Sequence, residues 1–255
     1  VVAVARHHAP VELSAEALAE VRRTRTVIDG LADDTEPHYG VSTGFGALAT
    51  KHIPTEQRRQ LQRSLVRSHS AGMGTPVEEE VVRALMLLRI ATLATGRTGI
   101  REETLTAYVA MLNAGITPVV HEWGSLGCSG DLAPLSHCAL ALMGEGPVAV
   151  GGELMDAGEA LRRNGIEPVV LHEKEGLALI NGTDGMLGML CLAIHDLGAL
   201  ATVADIAAAM SVEGLLGTDD VFAAHLHALR PQPGQALSAE NMRKVLRDSP
   251  IRASH

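Results

Sequence analysis

Residues 183 to about 215 constrain the fold more than any other part of this sequence, because their pattern predicts one long helix rich in Ala, Leu and Met. Its apolar positions, such as Leu187, Leu190 and Ile194, need partners, which other helices supply in a bundle. The chain has two Phe, two Tyr and one Trp among 255 residues, so its core must be built mostly from aliphatic side chains. Such a core favours packed helices over a β-sandwich. The sequence therefore predicts a mainly α protein.

The composition changes near residue 183, which divides the chain into two predicted parts. Residues 1–182 are expected to form a globular helical head, and residues 183–255 the beginning of a helical bundle. A bundle with one long helix has too few partners, and the polar stretch before His255 does not resemble a domain end. We therefore expect this chain to be part of a longer one.

Shorter helices are predicted where a capping or helix-starting residue precedes an apolar repeat. They are expected to begin at Ser14, Thr55, Thr75 with Pro76, residue 101, and Asp131 as an N-cap. Further helices are expected near 155–163, 218–229 and 238–247, and a short hairpin or loop over 147–154.

Charge and cysteine content narrow the possible partners and compartments. The net charge of −9 argues against nucleic acid and anionic membranes as partners. Three cysteines without a framework spacing fit a reducing cytoplasm, so we expect a cytoplasmic protein. The most apolar stretch, 186–210, includes His195, Asp196 and Asp205, and a buried helix is expected there rather than a membrane span.

A Cys-Ser-Gly tripeptide, Cys128 to Gly130, lies between glycines directly before the predicted helix start at Asp131. Because Gly130 has no side chain, its amide nitrogen can approach the Cys128 carbonyl in a turn that other residues resist. Attack with loss of water closes an imidazolone ring, and dehydration of Ser129 leaves a methylidene carbon. The product is an electrophile that no unmodified side chain supplies. The simpler alternative is a Gly/Ser-rich turn before a helix.

The run Gly-Ser-Leu-Gly-Cys-Ser-Gly-Asp-Leu-Ala-Pro-Leu resembles the active-site signature of the histidine and phenylalanine ammonia-lyase family. The family usually has Ala first in the tripeptide, but Cys128 would give only backbone atoms to the ring. The resemblance implies an aspartase/fumarase-like lyase fold and a homotetramer with shared active sites. It also implies a methylidene-imidazolone group formed from Cys128, Ser129 and Gly130, with no metal or soluble cofactor.

A second motif, Tyr-Gly-Val-Ser-Thr-Gly-Phe-Gly at 39–46, is similar to the tyrosine loop of the same family. By this resemblance Tyr39 takes a β-proton or assists elimination, as a general base with a lowered pKa could. A buried, hydrogen-bonded core tyrosine is the alternative. A dinucleotide-binding loop is not favoured, because no strand precedes Gly44 and the glycine motif is incomplete.

A third motif, 64–74, resembles the substrate-side element of the family, and its Ser68-His69 pair is the one seen in histidine lyases. Phenylalanine and tyrosine lyases carry Leu after their selectivity residue. A His side chain can hydrogen-bond an imidazole, so His69, with Ser68 beside it, is the candidate for substrate choice. A His at a helix end is otherwise commonly a C-cap or a surface residue.

A fourth motif, 179–185, contains Asn181, which by resemblance holds a substrate or ring oxygen through its amide; an Asn-Gly turn is the alternative. The helix that begins at Asp131 would add free amides and the positive end of its dipole next to the ring. The other histidines show no metal-ligand pattern, and His137 favours a structural role.

The four motifs occur in family order, and the resemblance extends from about residue 37 to 242. The family is much longer, and its later half supplies tyrosine, arginine, glutamine and glutamate contacts that this chain lacks. The resemblance implies conversion of L-histidine to trans-urocanate and ammonia, with addition at the amine or the imidazole left open. Two alternatives remain: a phenylalanine or tyrosine lyase or aminomutase, and a catalytically silent fragment with no formed ring.

Overall fold

The computed structural model describes residues 1–254 and confirms the mainly α prediction. The α-helices are α1 Val2–His7, α2 Ala15–Asp33, α3 Thr55–His69, α4 Glu79–Ala94, α5 Glu102–Asn113, α6 Leu132–Leu142, α7 Ala157–Arg163, α8 Glu175–Ile180, α9 Asp184–Gly214, α10 Ala224–Ala228 and α11 Pro233–Val245. The strands are β1 Met73–Pro76, β2 Ile116–Pro118, β3 His121–Trp123, β4 Pro147–Val150 and β5 Glu153–Asp156. Strand β1 pairs antiparallel with β3, and β4 pairs antiparallel with both β2 and β5.

The chain forms two compact units, Val1–Leu192 and Ala193–His255, and the boundary between them lies inside α9. The first unit is built around side chains from α4, α5 and α6, and the candidate site residues all belong to it. Leu85, Met86, Leu112 and Leu135 are among its fully buried members. The division into a head over 1–182 and a bundle from 183 remains a prediction.

Most predicted helices are present, and the differences have local causes. Ser14 caps α2, since its hydroxyl accepts a hydrogen bond from the Ala17 amide at 3.2 Å. The expectation that Thr75 and Pro76 begin a helix is wrong, because both lie in β1, where Pro76 pairs with His121. Helix α4 starts three residues later, and the predicted 147–154 hairpin is the β4–β5 pair.

The long helix α9 is largely exposed, so the expectation of a buried helix over 186–210 is wrong for this chain. Leu190, Ile194 and Leu197 are 54%, 61% and 62% exposed. The helical segment Glu175–Gly214 is long and apolar enough to cross a membrane by length and composition, which alone is weak evidence. An apolar face of this kind calls for protein neighbours, as in a helical bundle.

Helix α8, which leads directly to Asn181, is fixed at its first residue by the fully buried carboxylate of Glu175. Arg101 donates to this carboxylate from Nε at 2.9 Å and from Nη2 at 2.8 Å. The Thr104 hydroxyl donates at 2.7 Å and the His172 amide at 2.8 Å. A buried charge with this many donors is compensated, and each donor depends on it in turn.

We expect Glu175→Ala to lower the free energy of unfolding by about 3 kcal/mol, because it leaves the Arg101 charge and the buried donors without an acceptor. Glu175→Gln keeps the shape and an acceptor oxygen and should cost clearly less. Urea unfolding monitored by circular dichroism measures both. Equal stability of the alanine variant and the unmodified chain would contradict this anchoring.

Candidate active site

The Cys128–Ser129–Gly130 tripeptide lies in a bend without helix or strand, and its residues differ in accessibility. Cys128 and Ser129 are exposed, whereas Gly130 is buried. Gly127 before them has φ of +62°, a left-handed conformation that favours glycine, and its amide donates to the Ser125 hydroxyl at 3.1 Å. The loop therefore presents Ser129 outward from a backbone that is fixed on both sides.

Asp131 fixes the loop from its C-terminal side. The fully buried carboxylate accepts hydrogen bonds from the Ser125 hydroxyl and from the amides of Gly185, at 2.9 Å, and Met186, at 3.0 Å. Asp131 occupies the N-cap position of α6, but its side chain makes no capping hydrogen bond there, so the prediction of a side-chain cap on α6 is wrong. The carboxylate instead caps α9, whose first amides would otherwise lack acceptors.

Asn181 lies beside the tripeptide. The Asp131 amide donates to the Gly182 carbonyl at 2.6 Å, which aligns the two segments. A Cβ atom built on Gly130 would lie 3.4 Å from the Asn181 side-chain oxygen, which is van der Waals contact distance. The structure therefore brings together two of the motifs that the sequence singles out.

Arg89 on α4 holds the backbone that carries Asn181. Its Nη1 donates to the carbonyl oxygens of Ala178, at 3.1 Å, and Asn181, at 3.0 Å, and its Nη2 lies 3.0 Å from a carboxylate oxygen of Asp184. Burial raises the pKa of Asp184, and the Arg89 cation opposes that shift. No motif in the sequence singles out Arg89.

Tyr39 is 50% exposed, which does not fit the alternative of a buried core tyrosine. Its hydroxyl accepts a hydrogen bond from the Gly46 amide at 3.4 Å, and its ring meets Phe45 edge-on at 6.0 Å. Gly40, at φ +73°, packs so closely that an added Cβ would lie 2.8 Å from Leu177 of α8. The tyrosine loop thus rests on the helix that leads to Asn181.

Gln62 on α3 connects the same two elements. Its side-chain oxygen accepts a hydrogen bond from the Gly176 amide at 2.8 Å, and its side-chain nitrogen donates to the Gly40 carbonyl at 3.4 Å. Gln62 is fully buried, and these two contacts satisfy the oxygen and the nitrogen of its side-chain amide. Its functional position could not be recognised from the sequence, where it is one polar residue in a polar helix.

His69 is the last residue of α3 and is half-buried. Its Nδ1 lies 2.9 Å from the Leu65 carbonyl, an arrangement that places the proton on Nδ1 and leaves Nε2 as an acceptor. The exposed Ser68 hydroxyl donates to the same carbonyl at 2.9 Å and lies 3.0 Å from Nδ1. Neither His69 nor Tyr39 hydrogen-bonds the tripeptide within residues 1–254, and their roles remain predictions.

The segment after His69 does reach the loop that carries the tripeptide. A Cβ atom built on Gly124 would lie 3.3 Å from the Gly72 Cα atom and 2.9 Å from Ala133 of α6. Over residues 1–254, no group of three or more His, Cys, Asp and Glu side chains could hold a metal ion.

The sequence matches the family described as aromatic amino acid lyase over residues 1–255. Histidine ammonia-lyase of Streptomyces griseus is 63% identical over 100% of this chain and 50% of that protein. The structure of histidine ammonia-lyase from Trypanosoma cruzi has a TM-score of 0.88 at 40% identity, over 94% of this chain and 46% of that one. The structure of Pantoea agglomerans phenylalanine aminomutase has a TM-score of 0.92 at 34% identity, and the match covers 97% of this chain and 48% of that one. The chain spans about half the length of the curated relatives it matches.

The cysteines should differ sharply in reactivity. Burial raises the pKa of the Cys138 thiol to about 12. Almost no thiolate is then present at pH 8, and reagents do not reach it, whereas Cys128 is exposed. We expect iodoacetamide to label Cys128 rapidly and Cys138 only after unfolding, as read by peptide mass spectrometry. Cys128→Ala should remove the fast site, and equal labelling of both thiols in the folded chain would contradict the structure.

Proposed function

The chain belongs to the aromatic amino acid lyase family, and on that premise we propose that it is the N-terminal half of a carbon–nitrogen lyase that converts L-histidine to trans-urocanate and ammonia. The observation that carries the proposal is the exposed Cys128–Ser129 bend, whose Gly130 is buried against Asn181. The Streptomyces griseus relative is a histidine ammonia-lyase, which supports histidine as the substrate.

The residues present fit a methylidene-imidazolone formed from Cys128, Ser129 and Gly130. Ser129 is exposed, as a residue that receives a substrate must be, and Gly130 after it is buried. Once formed, such a group would supply the electrophile that activates the amino acid for loss of ammonia. Asn181 is proposed to hold a ring or substrate oxygen through its side-chain amide, and its side chain lies next to Gly130.

Helix α6 begins at Leu132, directly after the tripeptide and Asp131, and its amides and dipole favour negative charge that develops there. Tyr39 is proposed to take the substrate's β-proton or to assist elimination. Tyr39 is half exposed, and its hydroxyl accepts a hydrogen bond from the Gly46 amide.

His69 is proposed to recognise the substrate's imidazole. With Nδ1–H directed to the Leu65 carbonyl, Nε2 is available to accept a hydrogen bond from the substrate's ring N–H. Ser68, next to Nδ1, helps to hold that tautomer. A phenyl ring could not satisfy Nε2, so this pair favours histidine over phenylalanine or tyrosine as the substrate.

The proposal extends to the assembly and the compartment. The exposed apolar residues of α9 fit a homotetramer with active sites shared between subunits. The acidic composition and the three free cysteines fit a cytoplasmic enzyme. An intact mass two waters below the sequence mass distinguishes a formed ring from a catalytically silent chain.

In the full-length enzyme, we expect Ser129→Ala to abolish histidine deamination, with a loss of several orders of magnitude in kcat. Alanine cannot dehydrate to a methylidene carbon, so the mass deficit should also disappear. Cys128→Ala is the matched control, because position 128 gives only backbone atoms to the ring, and it should retain both activity and mass deficit. Near-normal turnover by Ser129→Ala would overturn the proposed chemistry.

We expect His69→Leu to lower kcat/KM for histidine on the order of tenfold or more, corresponding to roughly 1–3 kcal/mol for an imidazole N–H left without a partner. Discrimination against phenylalanine and tyrosine should relax at the same time. Steady-state kinetics with the three amino acids measures both effects, and His69→Gln, which keeps an acceptor, is the control. Unchanged ratios among the substrates would remove His69 from the specificity role.

A further inference from the structure

The imidazole of His137, on α6, contacts the turn that follows the proposed substrate-recognition residue. The Gly72 amide donates a hydrogen bond to His137 Nε2 at 3.1 Å, three residues after His69. Gly72 has no room for a side chain here, since a Cβ atom built on it would lie 2.9 Å from His137 Nε2 and 3.3 Å from His121 Cβ. The turn between α3 and β1 is therefore packed against two imidazole rings.

His121 completes the contact from β3. Its Nδ1 lies 2.9 Å from the Gly74 carbonyl, so it donates to the same short stretch of backbone from which His137 accepts. The two ring centroids are 5.5 Å apart in an edge-on arrangement. One imidazole accepts and the other donates, which fixes the direction of the peptide units between Gly72 and Gly74.

The contact at Gly72 requires one particular form of His137. Accepting at Nε2 is possible only in the neutral ring with its proton on Nδ1. Burial lowers the pKa of His137, and the nearby His121 lowers it further, so the neutral form predominates near pH 7. An aliphatic side chain would fill the same space but leave the Gly72 amide without this acceptor.

We propose that His137 is a positioning residue that holds the turn after His69 against the tripeptide loop and thereby sets how tightly the substrate's imidazole is bound. The loop side of this contact is Gly124, whose added Cβ would lie 3.3 Å from Gly72 Cα. This inference rests on the proposed function, because it assigns His137 to the same substrate site. His137 itself touches neither the substrate nor the tripeptide in this role.

The test compares three variants of the full-length enzyme. His137→Gln can place its oxygen near the position of Nε2, whereas His137→Asn is too short and His137→Leu has no acceptor. We expect KM for histidine to rise about 3- to 10-fold in the Asn and Leu variants with kcat little changed, because binding to His69 is weakened in the ground state and transition state alike. His137→Gln should restore KM to near the wild-type value.

A second measurement does not depend on activity. Hydrogen exchange of the peptide that contains Gly72 should be on the order of tenfold faster in His137→Leu and His137→Asn, and close to wild type in His137→Gln. Wild-type KM in His137→Leu, or an equal KM increase in all three variants with unchanged exchange, would overturn the inference. A wild-type enzyme that does not deaminate histidine would instead overturn the proposed function, and the exchange data would still decide whether His137 holds the turn.

Discussion

The buried carboxylate of Asp131 joins segments that are far apart in the sequence. It accepts hydrogen bonds from Ser125 in the loop and from the Gly185 and Met186 amides of α9, while the Asp131 amide donates to Gly182. The dipole and the free amides of a helix N-terminus stabilise a negative charge, and this stabilisation compensates for the burial of the carboxylate. Asp131 thus connects the tripeptide loop to the start of α9 through its side chain, and to the segment that carries Asn181 through its backbone amide.

Helices α3 and α8 form the common support of the remaining site elements. Gln62 links them and holds the loop of Tyr39, while Glu175 anchors α8 to Arg101. Each link uses a buried polar group whose partners are other buried polar groups, so losing one leaves the other uncompensated. The tyrosine loop and Asn181 are consequently both held through buried contacts with α3 and α8.

The parts of the site that could be predicted from sequence are those defined by neighbouring residues: the Cys-Ser-Gly bend, the pair at His69 and the Asn-Gly step at Asn181. The contacts of Arg89 and His137 could not be predicted from sequence, because the backbone groups that they bind lie 92 and 65 residues away along the chain. The same limit explains the start of α4. Pro76 is a good first helical residue by local rules, but pairing with β3, which follows later in the chain, places it in a strand.

The Asp131 contact also affects the order in which this part of the chain can fold during synthesis. Gly185 and Met186 follow Asp131 by 54 and 55 residues, so during synthesis the bend emerges from the ribosome well before the amides that will hold its last residue. Until that stretch is made, the carboxylate has only Ser125 within its own loop. The native shape of the bend is therefore completed only after the first turn of α9 has been made.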